Sequence, residues 1–263
     1  MISSVSRVFP RVAALTLPAL TFAALVVVIL AFAGPAFAQQ RPLVTEDPET
    51  IGAGRVLIEG GVDYGRGVEY PVSGLTGQLL RVPLIGVSVG ISSIAELQFD
   101  GGLHNRLAIT ERVPAPLSDM VTATGDTTSS VEDLVVATKI RVASALVGKT
   151  VRSVRTVVNG GFGILGDPVD GTRQNDVVTY GVSFARALTQ AAEVVGEVNG
   201  RIDLRGDEPA RPTNTRGAVR LGARYTVGGW RGDAAVVLGL TSRDPGIGVA
   251  AGFTYVFSAF RVP

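Results

Sequence analysis

Arg216-Gly217-Ala218-Val219-Arg220-Leu221-Gly222-Ala223-Arg224-Tyr225 alternates with a period of two. Arg216, Arg220 and Arg224 share one face, while Gly217, Val219, Leu221, Ala223 and Tyr225 share the other. That period belongs to a strand, because side chains on a helix return every 3.6 residues. The preceding segment repeats the pattern, with Glu193, Glu197 and Arg201 against Val194, Gly196, Val198 and Gly200. Acids on one strand and arginines on the next predict cross-strand pairs that stiffen a shared wall.

Working outward, ten segments alternate in this way, near 55–65, 78–89, 94–104, 132–144, 152–165, 176–187, 192–202, 214–226, 232–242 and 247–257. The gaps near 66–77, 105–131, 166–175 and 203–213 are long. Those near 90–93, 145–151, 188–191 and 227–231 are short, and 243–246 is intermediate. Alternating loop lengths and an even strand count describe an all-β, single antiparallel transmembrane β-barrel of about ten strands, with long extracellular loops and short periplasmic turns. A hairpin hidden in 105–131 would raise the count to twelve, but its Ser, Thr, Asp and Gly content argues against one.

The apolar face carries a single charge, Arg186, at a strand end from which it could reach the headgroups. The opposite face collects Arg55, Glu59, Asp63, Arg81, Glu96, Asp100, His104, Asp133, Lys139, Arg141, Arg155, Glu193, Glu197, Arg201, Arg216, Arg220, Arg224 and Asp233. These are the predicted lumen-lining residues. Charge inside and apolar groups outside reverse the arrangement of a soluble barrel. A charge at mid-bilayer costs about 2–4 kcal/mol, which accounts for the clean outer face. Segment 78–89 fits less well: with Arg81 inward, Pro83, Ile85, Val87 and Val89 follow it, and a bulge is expected there.

Residues 1–38 hold Arg7 and Arg11, no acid, an apolar run from Val12 to Ala33, and Gly34-Pro35-Ala36-Phe37-Ala38. This reads as a secretory signal peptide cleaved after Ala38, the rival reading being a permanent anchoring helix. The remaining expected divisions are an N-terminal periplasmic segment (39–54), the barrel (55–257) and a C-terminal tail (258–263). Exported from the cell, the chain would lodge in the outer membrane of a Gram-negative envelope. Gly252-Phe253-Thr254-Tyr255-Val256-Phe257 resembles the barrel-assembly signal of outer-membrane proteins. It implies two partners, the assembly machinery and outer-membrane lipid. The chain has 263 residues and no cysteine, so disulfide and Cys-ligated zinc frameworks are excluded. A formal charge of +1 gives no electrostatic footprint for nucleic acid.

Pro42-Leu43-Val44-Thr45-Glu46-Asp47-Pro48-Glu49-Thr50-Ile51-Gly52-Ala53-Gly54 and Val131-Glu132-Asp133-Leu134-Val135-Val136-Ala137-Thr138-Lys139-Ile140-Arg141 resemble two motifs of one bacterial family. It is the phenol meta-pathway (MetA) degradation family, with an acidic D-D-P-x-T entry and a G-x-G-D-L-x-L-x-x-K-Y strand. Val131 stands where the family has glycine, and Ile140 where it has an aromatic residue. The resemblance implies an envelope β-barrel, a channel for hydrophobic or aromatic compounds, with no catalytic residues to carry over. It also hints that Glu46 and Asp47 anchor the N-terminal segment in the barrel mouth.

Other chemistry finds little support. His104 is the sole histidine, and no serine is spaced beside it to make a nucleophile pair. Gly161-Phe162-Gly163-Ile164-Leu165-Gly166 satisfies G-x-G-x-x-G, yet turn residues follow it where a dinucleotide site needs a helix. Glu46-Asp47-Pro48-Glu49 and Gly166-Asp167-Pro168-Val169-Asp170 lack the ligand spacing of a calcium loop. The expected protein is therefore not an enzyme and carries no cofactor or metal. It is a narrow, porin-like passive transport channel for a small solute. A non-conducting structural or adhesive barrel is the alternative, and a barrel lipase a third reading. Tyr64, Tyr180, Phe184, Tyr225, Trp230, Tyr255 and Phe257 are candidates for the aromatic girdle.

Overall fold

The computed structural model describes residues 41–45, 49–140, 147–151, 153–166, 174–204 and 214–261. The signal-peptide reading at 1–38, Arg141, Glu46-Asp47-Pro48 and Asp167 to Asp170 lie outside the described residues. The strands are β1 (Arg55–Tyr70), β2 (Leu75–Gly90), β3 (Ala95–Gly102), β4 (Asn105–Arg112), β5 (Thr127–Ser130) and β6 (Val135–Ile140). They continue with β7 (Val147–Val151), β8 (Val154–Gly166), β9 (Gln174–Ala187), β10 (Ala192–Asp203), β11 (Arg216–Val227), β12 (Trp230–Gly239) and β13 (Ile247–Ser258). All belong to one antiparallel sheet in which β1 pairs with both β2 and β13.

Among the described residues the thirteen segments reduce to ten crossings and one short strand. β3 and β4 pair with β2 in a single register, with Leu84 opposite Gly102 and Arg81 opposite Asn105. β5 and β6 likewise continue one register against β4 and β3, with Asn105 opposite Ser130 and Ala95 opposite Ile140. Each pair is one strand interrupted for a few residues. β7 is extra: it runs beside β8, from Val147 opposite Val158 to Val151 opposite Val154. Among the described residues no ladder joins β6 to β7, so the wall is not sealed there.

The interruptions line up. Gly61 faces Leu84 but Asp63 faces Arg81, so β2 carries one extra residue at Val82-Pro83. The bulge expected in segment 78–89 is therefore present, at the proline that cannot donate to a ladder. It returns Leu84, Gly86 and Ser88 to the face of Arg81, and turns Ile85, Val87 and Val89 outward with their partners Gly60, Ile58 and Val56. The kink is stitched by Val82 N–H donating to the His104 carbonyl at 2.9 Å and Leu103 N–H to the Pro83 carbonyl at 3.0 Å.

Three connections differ from the sequence reading. Segment 66–77 was expected as a long loop, but strand pairing continues to Tyr70 and Leu75 and leaves four residues of turn. Segment 105–131 does hide a hairpin, β4 with β5, which lengthens two crossings rather than adding two. Its Ser and Thr content misled because a ladder above the apolar belt needs no apolar face. Segment 145–151, expected as a tight turn, contains β7. Short turns join β2 to β3, β9 to β10 and β11 to β12, the last a two-residue hairpin in which Gly228 adopts φ +60°.

Apolar groups face outward and charge faces inward. Along β12 exposure alternates residue by residue, with Val236 and Leu238 each over 40% exposed while Asp233 and Val237 are buried. Phe162, Tyr225, Val249 and Phe253 are exposed in the same way. Glu59, Glu96, Glu193, Glu197 and Arg224 are buried. Three outward aromatic rings lie over the glycine directly across the ladder: Phe253 on Gly60, Phe184 on Gly196 and Tyr180 on Gly200. A Cβ at these glycines would sit 2.7, 2.5 and 2.6 Å from the ring or its hydroxyl, so the flat packing requires glycine. At the end of the barrel that carries both termini, Trp230 stacks on Tyr255 at 4.4 Å and Tyr255 on Phe257 at 5.5 Å.

Candidate functional site: a strapped lumen

The expected arginine column meets its partners. The ladder sets Glu193 opposite Arg224, Glu197 opposite Arg220 and Arg201 opposite Arg216. Arg220 Nη1 reaches Glu197 at 2.8 Å and Asn199 Oδ1 at 2.9 Å. Arg224 lies 3.9 Å from Glu193, which Arg231 approaches to 3.8 Å. The sequence reading places Arg231 in the short gap near 227–231. Because β12 begins at Trp230, Arg231 is a buried wall residue.

What the sequence left unplaced is the occupant of the lumen. Residues 41–45, the start of the segment read as periplasmic, run inside the barrel as a strap. Glu197, whose side chain has no exposed surface, accepts the Val44 N–H and the Thr45 N–H, each at 2.8 Å. The Arg41 carbonyl accepts the Arg224 Nε–H, and Arg41 donates to the Ala251 carbonyl at 3.0 Å. Arg41 Nε also lies 3.8 Å from Asp233. Its guanidinium rests against the inward glycines Gly61 and Gly252, where a Cβ would collide with it. Leu43 packs with Ala185 and Val195 in a small buried apolar cluster. Further along, Glu49 meets Arg155 at 3.5 Å, Thr50 Oγ1 donates to the Ser93 carbonyl, and Ile51 N–H donates to Glu96 at 2.7 Å. One carboxylate taking two consecutive amides and a guanidinium is a strong, directional clamp.

The remaining lumen-lining residues divide by position. Glu96 also takes Gln98 at 2.9 Å and Lys139 at 3.4 Å. Glu59 accepts the Thr254 hydroxyl at 3.0 Å. Arg81 bridges Asp63 at 2.7 Å and Glu132 at 3.2 Å. Asp133, expected inward, is exposed in the gap between β5 and β6; the break in the strand reverses parity, and Glu132 is the acid that reaches the wall network. His104 is exposed in the break between β3 and β4, and Arg55 and Asp100 are exposed as well. Arg186, expected to reach for headgroups, is instead buried at 8% exposure. Gly161 to Gly166 lie within β8, with no helix after them among the described residues.

Above the strap the lumen opens into a cavity of about 980 Å³. Residues of β1, β2, β8, β9, β10, β11 and β12 all face it, so the wall encloses it from most sides. Val44 and Thr45 form part of its floor, and Tyr70, Pro71, Val72 and Leu117 part of its upper rim. At that rim Arg216 donates to the Arg243 carbonyl at 2.6 Å and to the Glu69 carbonyl. Asp244 accepts from the Gly217 N–H at 2.8 Å, the Thr241 N–H at 3.1 Å and the Thr241 hydroxyl at 2.7 Å. Among the described residues no cluster of His, Cys, Asp or Glu is arranged to hold a metal ion.

Comparison by sequence finds no matching family model and no matching curated protein. Among solved structures the chain is similar to the translocator domain of the autotransporter NalP from Neisseria meningitidis, at 16% identity over 78% of this chain and 89% of that one, with a TM-score of 0.43. An outer-membrane channel from Pseudomonas putida F1 is 12% identical over 80% and 98%, with a TM-score of 0.38. The outer membrane protein AlkL is 11% identical over 86% and 100%, with a TM-score of 0.28. The architecture therefore rests on the chain's own register and on which face of its wall carries charge.

Proposed function

We propose that the protein is an outer-membrane channel that passes a small solute through a lumen narrowed at its base by the strap 41–45. The observation that carries this reading is the cavity of about 980 Å³ inside a charged wall, with Val44 and Thr45 in its floor. The exposed apolar belt supports a bilayer setting, since so continuous an apolar surface is not tolerated by a soluble monomer. The stacked Trp230-Tyr255-Phe257 group suits the interface at the end holding both termini, the periplasmic end in this reading. Ten crossings lie just above the eight at which side chains fill a barrel, so passage would be narrow and selective. The resemblance of 42–54 and 131–141 to the MetA family suits an aromatic or hydrophobic solute.

A second reading, a non-conducting barrel that acts through its outer loops, is favoured by one feature: the strap and the Glu193, Glu197, Arg224 and Asp233 ion pairs occupy the base of the lumen. Planar-bilayer recording separates the two. The channel reading expects discrete current steps from the full protein, larger when residues 41–45 are replaced by Gly and Ser. Absence of current from both proteins at high salt leaves the non-conducting barrel.

A further inference from the structure

We infer that the base of the lumen is a peptide-recognition site that reads an arginine followed two residues later by a leucine. Its ligand is an extended basic segment of a second protein, on the side of the membrane that carries both termini. Residues 41–45 then act as a tethered ligand that fills the site in its absence. The inference goes beyond the channel reading and does not rest on it, since a non-conducting barrel would hold the same site.

Backbone and side-chain recognition are separated along the strap, as they are in peptide-binding grooves. Glu197 accepts the Val44 and Thr45 amides, each at 2.8 Å, and Arg224 Nε–H donates to the Arg41 carbonyl. Those grips read no side chain. Two pockets supply the selectivity. Leu43 lies against Ala185 and Val195, the latter with no exposed surface. The Arg41 guanidinium lies over Gly61 and Gly252, which face each other directly across the β1–β13 ladder. A side chain at either glycine would take the guanidinium's place. Around this slot the Ala251 carbonyl accepts from Arg41 at 3.0 Å, and Asp233 stands 3.8 Å away. The Asp233 carboxylate has no exposed surface and makes no hydrogen bond among the described residues, so it favours a cation in the slot.

The surroundings offer a ligand more than the strap uses. Arg41 borders a cavity of about 370 Å³ whose other charged lining residues are Glu59, Asp100, Glu132 and Asp133. Glu132 is paired with Arg81, while Glu59 accepts a neutral hydroxyl. Glu59 and Asp100 flank Gly86 in one row across β1, β2 and β3. This potential favours the approach of a basic segment. At the other end of the strap, Thr45 buries a hydroxyl with no hydrogen-bond partner among the described residues. A segment with an apolar side chain there would bind better, so the strap is not the tightest ligand its own site can hold. Its advantage is the nine-residue tether to β1, which supplies a high effective concentration.

The test is fluorescence anisotropy of a labelled peptide copying residues 40–46, titrated with refolded protein in detergent. The full chain is compared with the same chain in which residues 41–45 are replaced by Gly and Ser. The peptide should bind the strap-replaced protein at least about tenfold more tightly, because the tethered copy competes in the other. Arg41→Gln or Leu43→Ala in the peptide should each weaken binding about tenfold, and Thr45→Val should strengthen it by about the same factor. Gly61→Ala in the strap-replaced protein should erase the difference between the native peptide and its Arg41→Gln form, with heat-modifiable gel migration showing a folded barrel. Equal binding to both proteins overturns the site, as does binding to neither. Native and Arg41→Gln peptides that bind the strap-replaced protein alike overturn the arginine slot, and an unchanged Leu43→Ala peptide overturns the leucine pocket. Weaker binding of the Thr45→Val peptide overturns the placement of its final residue.

Discussion

Glu197→Ala should release the strap while leaving the barrel standing. The carboxylate accepts three charge-assisted hydrogen bonds, from the Val44 and Thr45 amides and from Arg220, all at 2.8 Å. Each such bond is worth about 1.5–3 kcal/mol, and two of the three tie the strap to the wall. Those two are not additive, so a loss near 3 kcal/mol of strap anchoring is the working magnitude. That shifts the released population by about two orders of magnitude. Because the chain contains no cysteine, a thiol reporter can be placed without background. Thr45→Cys suits the purpose: Thr45 is 5% exposed and its hydroxyl has no hydrogen-bond partner among the described residues, so the exchange loses little. A bulky, water-soluble maleimide then reads the open fraction, provided opening is fast relative to labelling. Labelling of Thr45→Cys should accelerate about a hundredfold on adding Glu197→Ala, and less on adding Glu197→Gln, which keeps one acceptor oxygen. Equal rates with and without Glu197→Ala, in proteins that both migrate as folded barrels, would refute the idea that this carboxylate holds the strap.

Other tests address the wall and the rim. Gly222→Val should lower the midpoint of heat-induced unfolding on gels by the equivalent of about 1–3 kcal/mol, because a Cβ there lies 2.4 Å from the Ala234 carbonyl and 2.7 Å from the Ala235 Cβ. Backbone, unlike a ring, cannot swing aside; an unchanged midpoint would mean that β11 and β12 stand farther apart. Asp244→Ala should speed hydrogen exchange at the Gly217 and Thr241 amides at least tenfold while leaving Thr45→Cys labelling unchanged, since the two sites share no partner. Leu238→Arg, at a position 43% exposed on the outer face, should cost about 2–4 kcal/mol of barrel stability in lipid. Normal stability for that variant would count against a lipid-facing β12.

Much of the wall was legible because a strand exposes one simple signal, parity. The Glu193, Glu197 and Arg201 series and the Arg216, Arg220 and Arg224 series each keep parity over a whole strand, so their faces and their partners followed together. Parity fails wherever the chain adds a residue. The bulge at Val82-Pro83 announced itself through its proline, but the gap between β5 and β6 gave no such sign, and Asp133 was chosen where Glu132 reaches the network. Strand ends were illegible for a different reason: beyond the apolar belt both faces meet water, so β4 and β5 alternate nothing and read as loop. The strap was hidden because its partners lie far away in sequence. The Thr45 amide and Glu197 are separated by 152 positions, and no local period links them.

The register between β1 and β13 sets an order of events. Twelve residues from Arg55 to Arg66 pair with Ile247 to Ser258, so the strand made first waits for the strand made last. The strap lies nine residues before β1 in the sequence and inside the ring that this pairing helps to complete. Its residues must therefore already be among the curling strands when the two ends meet, or else enter later through the base or the seam between β6 and β7. Enclosure of this kind makes the leading peptide a guest admitted during assembly.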